Sequence, residues 1–316
     1  MFKWKKKGLI FSPKGEMDWM NSHSQCPYSL EIGKHLRIYF CTRGKPDNNN
    51  QYKSYSGYVD VELHNPKKIK DVSKRPILDL GGLGEFDEFG SMAGSVVPHE
   101  GEYYLYYCGW QRGISTPYNW AIGIAKSNDG KKFTKIGTGP ILGPVLNEPF
   151  LQACPIVYKI NKNNWHMFYL SGVKWLQLEN NKKESQYLLM HAISKDGINW
   201  NRDGIPIIDT VVENECQTSC SIIELDKKYH MFFSYRHGID FRKDSTRGYR
   251  IGYAYSSDML NWIRDDSKAG FDVSEQGWDS KMVAYPHLRR IKEKTLMFYC
   301  GNNFGYGGFG YAELEN

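Results

Sequence analysis

Ser194-Lys-Asp196-Gly197-Ile-Asn-Trp200-Asn-Arg-Asp-Gly204-Ile-Pro-Ile-Ile208 is a polar turn, an aromatic residue and a short apolar strand in succession. The same order appears earlier as Ser127-Asn-Asp129-Gly130-Lys-Lys-Phe133-Thr-Lys-Ile-Gly137, and later as Ser257-Asp258-Met-Leu-Asn-Trp262. Trp4-Lys-Lys-Lys-Gly8-Leu-Ile-Phe11 repeats its second half. A unit that recurs in this way marks a repeat architecture.

A second motif lies between these turns. Tyr39, Tyr106, Phe168, Phe232 and Phe298 each sit in a run of alternating aromatic and aliphatic residues, such as Tyr104-Leu-Tyr106-Tyr-Cys108 and His166-Met-Phe168-Tyr-Leu170. They recur at intervals of roughly 65 residues, so five copies nearly account for the chain. Within a unit the pattern predicts four short strands: Cys154 to Ile160, His166 to Leu170, Tyr187 to Ile193, and one after Trp200. Aromatic residues at 15% favour strands, and no amphipathic run of helical length is present. Four-stranded antiparallel sheets repeated radially predict an all-β, five-bladed propeller. After Phe298 only one strand remains, Phe309 to Leu314, so Trp4 to Phe11 is expected to supply the missing outer strand and close the ring. With no linker-like break, residues 1–316 read as one domain. The stretches from Lys45 to Tyr55 and from Leu176 to Gln186 read as mobile insertions.

The net charge of +6 permits an anionic ligand but also serves plain solubility. It is too small, without a recognisable module, to suggest nucleic-acid binding. No apolar run approaches a membrane span, and Leu9 to Phe11 is too short for a signal peptide. Seven cysteines in no paired spacing argue against a disulfide framework and for a cytoplasmic protein with free thiols. Cys26, Cys154 and Cys220 align at one repeat position, where a crowded tunnel favours small apolar side chains. Zinc-type spacing is lacking, so no metal and no cofactor is expected.

Acidic residues precede the first strand of each unit: Asp18, Asp87, Glu148, Glu215 and Asp279. Carboxylates converging from different blades could supply an acid and a base for glycosidic chemistry, or could simply fasten loops. Asp87 and Glu215 are the expected acid–base pair, with Glu148 and Asp279 behind them. The segments leaving the second strands carry Arg43, Trp110 with Arg112, Lys174 with Trp175, Arg236 with His237, and Asn302, while His23 and His287 flank the first strands on the same rim. Aromatic faces suit sugar rings, and cations suit phosphate or carboxylate, so these ten residues are the expected substrate-binding set.

The chain resembles the five-bladed propeller glycosidases, namely the invertase-like, arabinanase–xylosidase and mannoside-phosphorylase groups. Trp19-Met-Asn21 is similar to the invertase opening, Gly90-Ser-Met-Ala-Gly94-Ser95 to its second-blade stretch, and Glu215-Cys216 to the pair bearing its general acid. Ser22 stands where the invertase nucleophile would fall, and Cys154-Pro155 near the transition-state aspartate, so a standard retaining fructosidase does not fit. The resemblance implies a carbohydrate-active enzyme acting on a glycosidic or sugar-phosphate bond, with a sugar, nucleotide-sugar or phosphate ligand, in bacterial surface-polysaccharide metabolism. A phosphorylase, a nucleotide-sugar glycosyltransferase and a non-catalytic carbohydrate-binding propeller are the alternatives. The sequence does not give the oligomeric state.

Overall fold

The structure, a computed structural model, describes residues 1–315. It is an all-β protein of antiparallel sheets. Ser22–Ile32, His35–Arg43, Ser54–Glu62 and Asn65–Val72 pair in that order, as do Gly90–His99, Glu102–Arg112, Tyr118–Ser127 and Thr134–Lys135. A single parallel bridge, Ser54 to Gly90, joins these two groups. Gln152–Asn161, Asn164–Gln177, Lys183–Ser194 and Trp200–Arg202 make a third group of four, and Cys216–Leu225, Lys228–Arg236, Arg250–Ser256 and Ile263–Arg264 a fourth. The fifth is Ala284–Ile291, Lys294–Cys300 and Phe309–Leu314, completed by Trp4–Phe11, which pairs antiparallel with Phe309–Leu314. The N-terminal segment thus takes the outer place that its sequence motif predicts.

The alternation along the second strands sorts side chains to opposite faces, as a period of two requires. Tyr39, Tyr106, Phe168, Phe232 and Phe298 pack toward the sheet that follows; Phe40, Tyr107, Tyr169, Phe233 and Tyr299 pack toward the sheet that precedes. Five apolar clusters result, each shared by two sheets. The turn aromatic of the next sheet meets the first of these rows edge to face: Tyr39 with Phe133, Tyr106 with Trp200, Phe168 with Trp262 and Phe232 with Trp4, at centroid distances of 6.1, 6.1, 5.9 and 5.5 Å. Burying such a ring is worth about 1.5–3 kcal/mol.

The turn aspartates are scaffold. Asp196 Oδ1 accepts the backbone N–H groups of Ile198 and Asn199 and the Ser194 hydroxyl, and Asp129 and Asp258 repeat the arrangement with Ser127 and Ser256. These bonds favour the ionised form and hold all three carboxyls below their ordinary range; for Asp129 and Asp196 they do so against the opposing, largest effect of burial. In the last copy the equivalent serine is Ser256, one residue earlier than the sequence pattern suggests.

Two further expectations are corrected. Leu176 to Gln186 is no loose insertion: Leu176, Gln177 and Lys183 to Gln186 extend a long hairpin, closed by a short turn at Glu179–Asn181. Each inner strand carries a β-bulge, at Cys26, Gly94, Cys154, Ser219 and Tyr285. The residue equivalent to Cys26 and Cys154 is therefore Ser219; Cys220 is back in register, paired with Phe233 and buried in the core. No helix among the described residues is long and apolar enough to cross a membrane.

Candidate functional site

The bulges aim side chains at the space between the inner strands. Cys26, Cys154, Ser219 and Tyr285 have φ of 50°, 50°, 43° and 57°, the left-handed region that non-glycine residues rarely adopt. Gly94 completes the set because a Cβ there would stand 2.4 Å from the Pro155 carbonyl oxygen. All five line the floor of one cavity of about 1140 Å³.

Its wall is aromatic and its charge is positive. Trp110, Tyr118, Trp120, Tyr187, Phe241 and Tyr249 face it, with Tyr118 stacked on Trp120 at 4.5 Å. Arg43, Arg112, Arg236, Arg242, Lys243 and Lys281 also line it; among the described residues, the one carboxylate lining it is Glu184. Arg236 is 4% exposed and has no carboxylate partner among the described residues. Its Nη2 donates to the Tyr187 hydroxyl at 2.9 Å and its Nη1 to the His237 carbonyl at 2.8 Å, while its Nε has no partner among the described residues. The guanidinium lies 3.5 Å from the Phe241 ring centroid. Tyr187 in turn shares a 2.5 Å hydrogen bond with Tyr249, and burial pushes both phenols up. Arg43 likewise has no carboxylate partner among the described residues. Burial, then the nearby Arg242, holds its pKa down. Arg242 is ion-paired with Glu184 and stacks on Phe241 at 4.3 Å.

Of the ten expected binding residues, His23, Arg43, Trp110, Arg112, Arg236 and His287 line this cavity. Both histidines are held neutral, with pKa values of about 3, by burial first; Arg43 adds to this at His23 and Arg289 at His287. His287 shares a hydrogen bond with the Ser29 hydroxyl at 2.9 Å. Four expected residues are elsewhere. Lys174 is exposed, and Trp175 packs 5.3 Å from Tyr118 without reaching the cavity. His237 serves Arg236 through its carbonyl, and Asn302 Oδ1 accepts the Lys281 and Met282 amides to hold a turn.

The four expected catalytic carboxylates all lie outside the cavity. Asp87, Glu148, Glu215 and Asp279 are 0, 2, 0 and 3% exposed, and none lines the cavity. Each is held by a cation on the outermost strand of its own sheet: Lys135 at 2.7 Å, Arg202 at 3.2 Å, Arg264 at 2.6 Å and Lys6 at 2.8 Å. Tyr107, Tyr169 and Tyr299 donate hydroxyls to Asp87, Glu148 and Asp279 at 3.0, 2.9 and 2.9 Å. Glu215, whose sheet has Phe233 in that place, accepts instead from the Val211 and Val212 amides and from Gln217. In the first sheet Asp18 is exposed and pairs with Lys45. A buried carboxylate that accepts from a tyrosine and a cation inside its own sheet is a clasp, set apart from any ligand in the cavity. Glu184, Tyr118, Trp120, Arg242 and Tyr249 escaped the sequence reading; Glu184 lay in a stretch read as a loose insertion.

No family model matches the chain. It is 33% identical over 315 residues to uncharacterized protein Rv1502 of Mycobacterium tuberculosis, covering 99% of both chains. The chain belongs to that protein's family. The corresponding protein MT1551 of another strain of that organism matches with the same identity and coverage. Among solved structures, BT0996 in an RGII complex is similar with a TM-score of 0.76 at 18% identity, over 99% of this chain and 92% of that one. A thermostable family-43 glycoside hydrolase gives 0.64 at 14% identity, over 93% and 88%. A structure from the GH130 family of mannoside phosphorylases, which contains glycoside hydrolases that target β-1,2 mannosidic linkages in Candida mannan, gives 0.65 at 17%, over 99% and 94%. The fold is of the propeller glycosidase type.

Proposed function

We propose that the five sheets form one closed, five-bladed domain whose central cavity binds a sugar bearing a phosphate or carboxylate group. Closure is supported by the five apolar clusters, which link every sheet to its neighbours, and by the N-terminal strand completing the fifth sheet. The observation that carries the ligand class is Arg236: a buried guanidinium with no carboxylate among the described residues to neutralise it. Leaving such a charge unpaired costs several kcal/mol, roughly, unless a ligand supplies the anion. Arg43 and Arg242 extend the positive wall, and Trp110, Tyr118 and Trp120 offer faces for sugar rings.

The reaction this arrangement suits is transfer of a glycosyl group between a phosphate and a sugar hydroxyl. Cleavage by two carboxylates needs a second acid or base, and the described residues supply the cavity with one, Glu184. Glu184, which pairs with Arg242, would take the proton from an acceptor hydroxyl as it attacks the anomeric carbon. Arg236 and Arg43 would stabilise the departing phosphate. In the reverse direction, phosphate attacks and Glu184 returns the proton to the leaving sugar oxygen. Phosphorylase and nucleotide-sugar transferase are two versions of this scheme. A panel of sugar 1-phosphates and nucleotide sugars with sugar acceptors, scored by phosphate or nucleotide release, tests it. Turnover lost in Glu184→Gln and Arg236→Gln supports the scheme. Phosphate-independent hydrolysis that survives Glu184→Gln would refute it.

A further inference from the structure

The outer strands of the five sheets are not alike. In the second, third and fourth sheets they are two or three residues long, and the cation each carries, Lys135, Arg202 or Arg264, is used in a clasp. In the fifth and first sheets they are eight residues long, Trp4–Phe11 and Asn65–Val72, and each carries three lysines. One apolar cluster joins these two sheets, with Ile10 and Phe11 from one outer strand and Val72 from the other. The two strands run side by side: a Cβ at Gly8 would stand 3.5 Å from Lys67 Nζ.

Cations outnumber the acids that meet them here. Glu313 is shared by Lys7 at 3.4 Å and Lys294 at 2.7 Å, and Glu62 by Lys68 at 2.7 Å and Lys70 at 3.7 Å. Lys5 and Lys67 are exposed and have no carboxylate partner among the described residues. Leu9 and Ile69 stand among them, each 39% exposed. Strand pairing turns these groups toward the seam between the sheets: Ile69 lies opposite Val61 of the joining cluster, and Lys5 opposite Glu313, two residues on from Tyr311 of the same cluster. Glu62 pairs with His35, at the other end of its strand from Arg43, and no residue of this patch lines the cavity.

Lysines on a free edge hinder pairing with strands of other molecules, and a short edge does the same. Neither device needs exposed aliphatic side chains between the charges. A lysine stem lies along apolar surface while its ammonium stays in water, so lysines set around a leucine and an isoleucine fit a partner that is anionic outside and apolar beneath. A polynucleotide or an acidic glycan offers the charge without the apolar layer, and these two strands present no exposed aromatic ring for a base or a sugar to stack on. We propose that the outer strands of the fifth and first sheets form a docking face for a membrane surface rich in anionic phospholipid. Lys5, Lys7, Lys67, Lys68 and Lys70 meet the headgroup phosphates, and Leu9 and Ile69 enter the boundary beneath them. The face is independent of the cavity and of the reaction proposed for it.

The test uses the full chain, sedimented with vesicles of phosphatidylglycerol and phosphatidylcholine in equal parts and, separately, with vesicles of phosphatidylcholine alone. The wild type should pellet with the anionic vesicles only, and raising the salt toward about 1 M should release it as the screening length falls to roughly 3 Å. Lys5→Gln with Lys67→Gln should lower the vesicle partition roughly 25-fold, about fivefold for each charge. Leu9→Ser with Ile69→Ser should lower it severalfold. Lys131→Gln with Lys195→Gln removes the same charge from exposed turns of the second and third sheets, and should bind as the wild type does. Pelleting with both kinds of vesicle or with neither, or an equal loss in the Lys131 and Lys195 variant, would overturn the proposal. So would capture by a soluble polyphosphate or acidic glycan without any by vesicles, which would assign the face to a polyanion in solution.

Discussion

The carboxylate clasps and the cavity wall are built from the same kinds of residue, and they do opposite things with charge. In the clasps every buried carboxylate has a cation at 3.2 Å or less, in three of them joined by a tyrosine hydroxyl. On the wall, Arg236 and Arg43 stand without a carboxylate partner among the described residues. A charge neutralised inside its own sheet fastens the outer strand, whereas one left open is a place for something else's charge. Repetition separates the two: the clasp recurs in four of the five sheets, each time tying the outer strand to its own sheet, and the Arg236–Tyr187–Tyr249 group occurs once.

The largest effects should come from breaking a clasp. Glu215→Gln leaves Arg264 with Asp266 as its one remaining carboxylate, and unfolding in denaturant should show a loss of roughly 3 kcal/mol, the low end for a broken buried pair. Asp87→Asn should behave similarly, with Lys135 left to Glu85 at 3.6 Å. Arg236→Gln should invert the pattern: affinity for an anionic sugar, read by calorimetry, should fall by about 2–3 kcal/mol while stability changes little or rises. If Glu215→Gln were as stable as the wild type, or Arg236→Gln the less stable of the two, the contrast between fastening and open charges would collapse. Tyr107→Phe and Tyr299→Phe remove one bond each to a charged acceptor and should cost about 1.5–3 kcal/mol.

A pH series sharpens the cavity side. His287 and His23 have folded pKa values of about 3 against an ordinary 6.5, so below pH 6.5 the unfolded chain binds protons that the folded chain refuses. Their contribution is present above pH 6.5 and is lost progressively as pH falls toward 3. Denaturation midpoints should decline across that window, and His287→Gln should flatten the decline; an unchanged slope in that variant would count against a neutral buried His287. The smallest effect is at a turn. Ser194→Ala removes the hydroxyl that caps the Asp196 turn and should cost roughly 0.5–1.5 kcal/mol by the same measurement.

The repeat was legible because its marks are local. Asp196 and its copies answer to amides two and three residues on, and the alternation at Tyr106–Tyr107 faces two neighbouring sheets as a period of two requires. The pairing of Trp4–Phe11 with Phe309–Leu314 was legible too, since the segment carries its motif with it. The roles of the acids were not. Asp87 is fastened by Lys135 and Glu215 by Arg264, partners that only the folding of a whole sheet brings near, so position in the repeat could locate these carboxylates without saying what they face. Glu184 was hidden for a different reason: its polar surroundings, Lys182-Lys183-Glu184-Ser185, look like loop until pairing with Leu176 makes them strand. The bulges shifted the alignment by one residue at Ser219, because an extra residue in a strand has no signature in side-chain type.

The pairing of Trp4–Phe11 with Phe309–Leu314 also sets an order of events. On the ribosome this strand emerges before the strands it must join, and its Lys6 and Trp4 wait for Asp279 and the fourth and fifth sheets to be made. Contacts between the most distant parts of a chain are the slow ones to form. Of the strands described here, the first to be synthesised is therefore the latest to be used, and until it docks, the edge of the fifth sheet is open to a strand from another molecule.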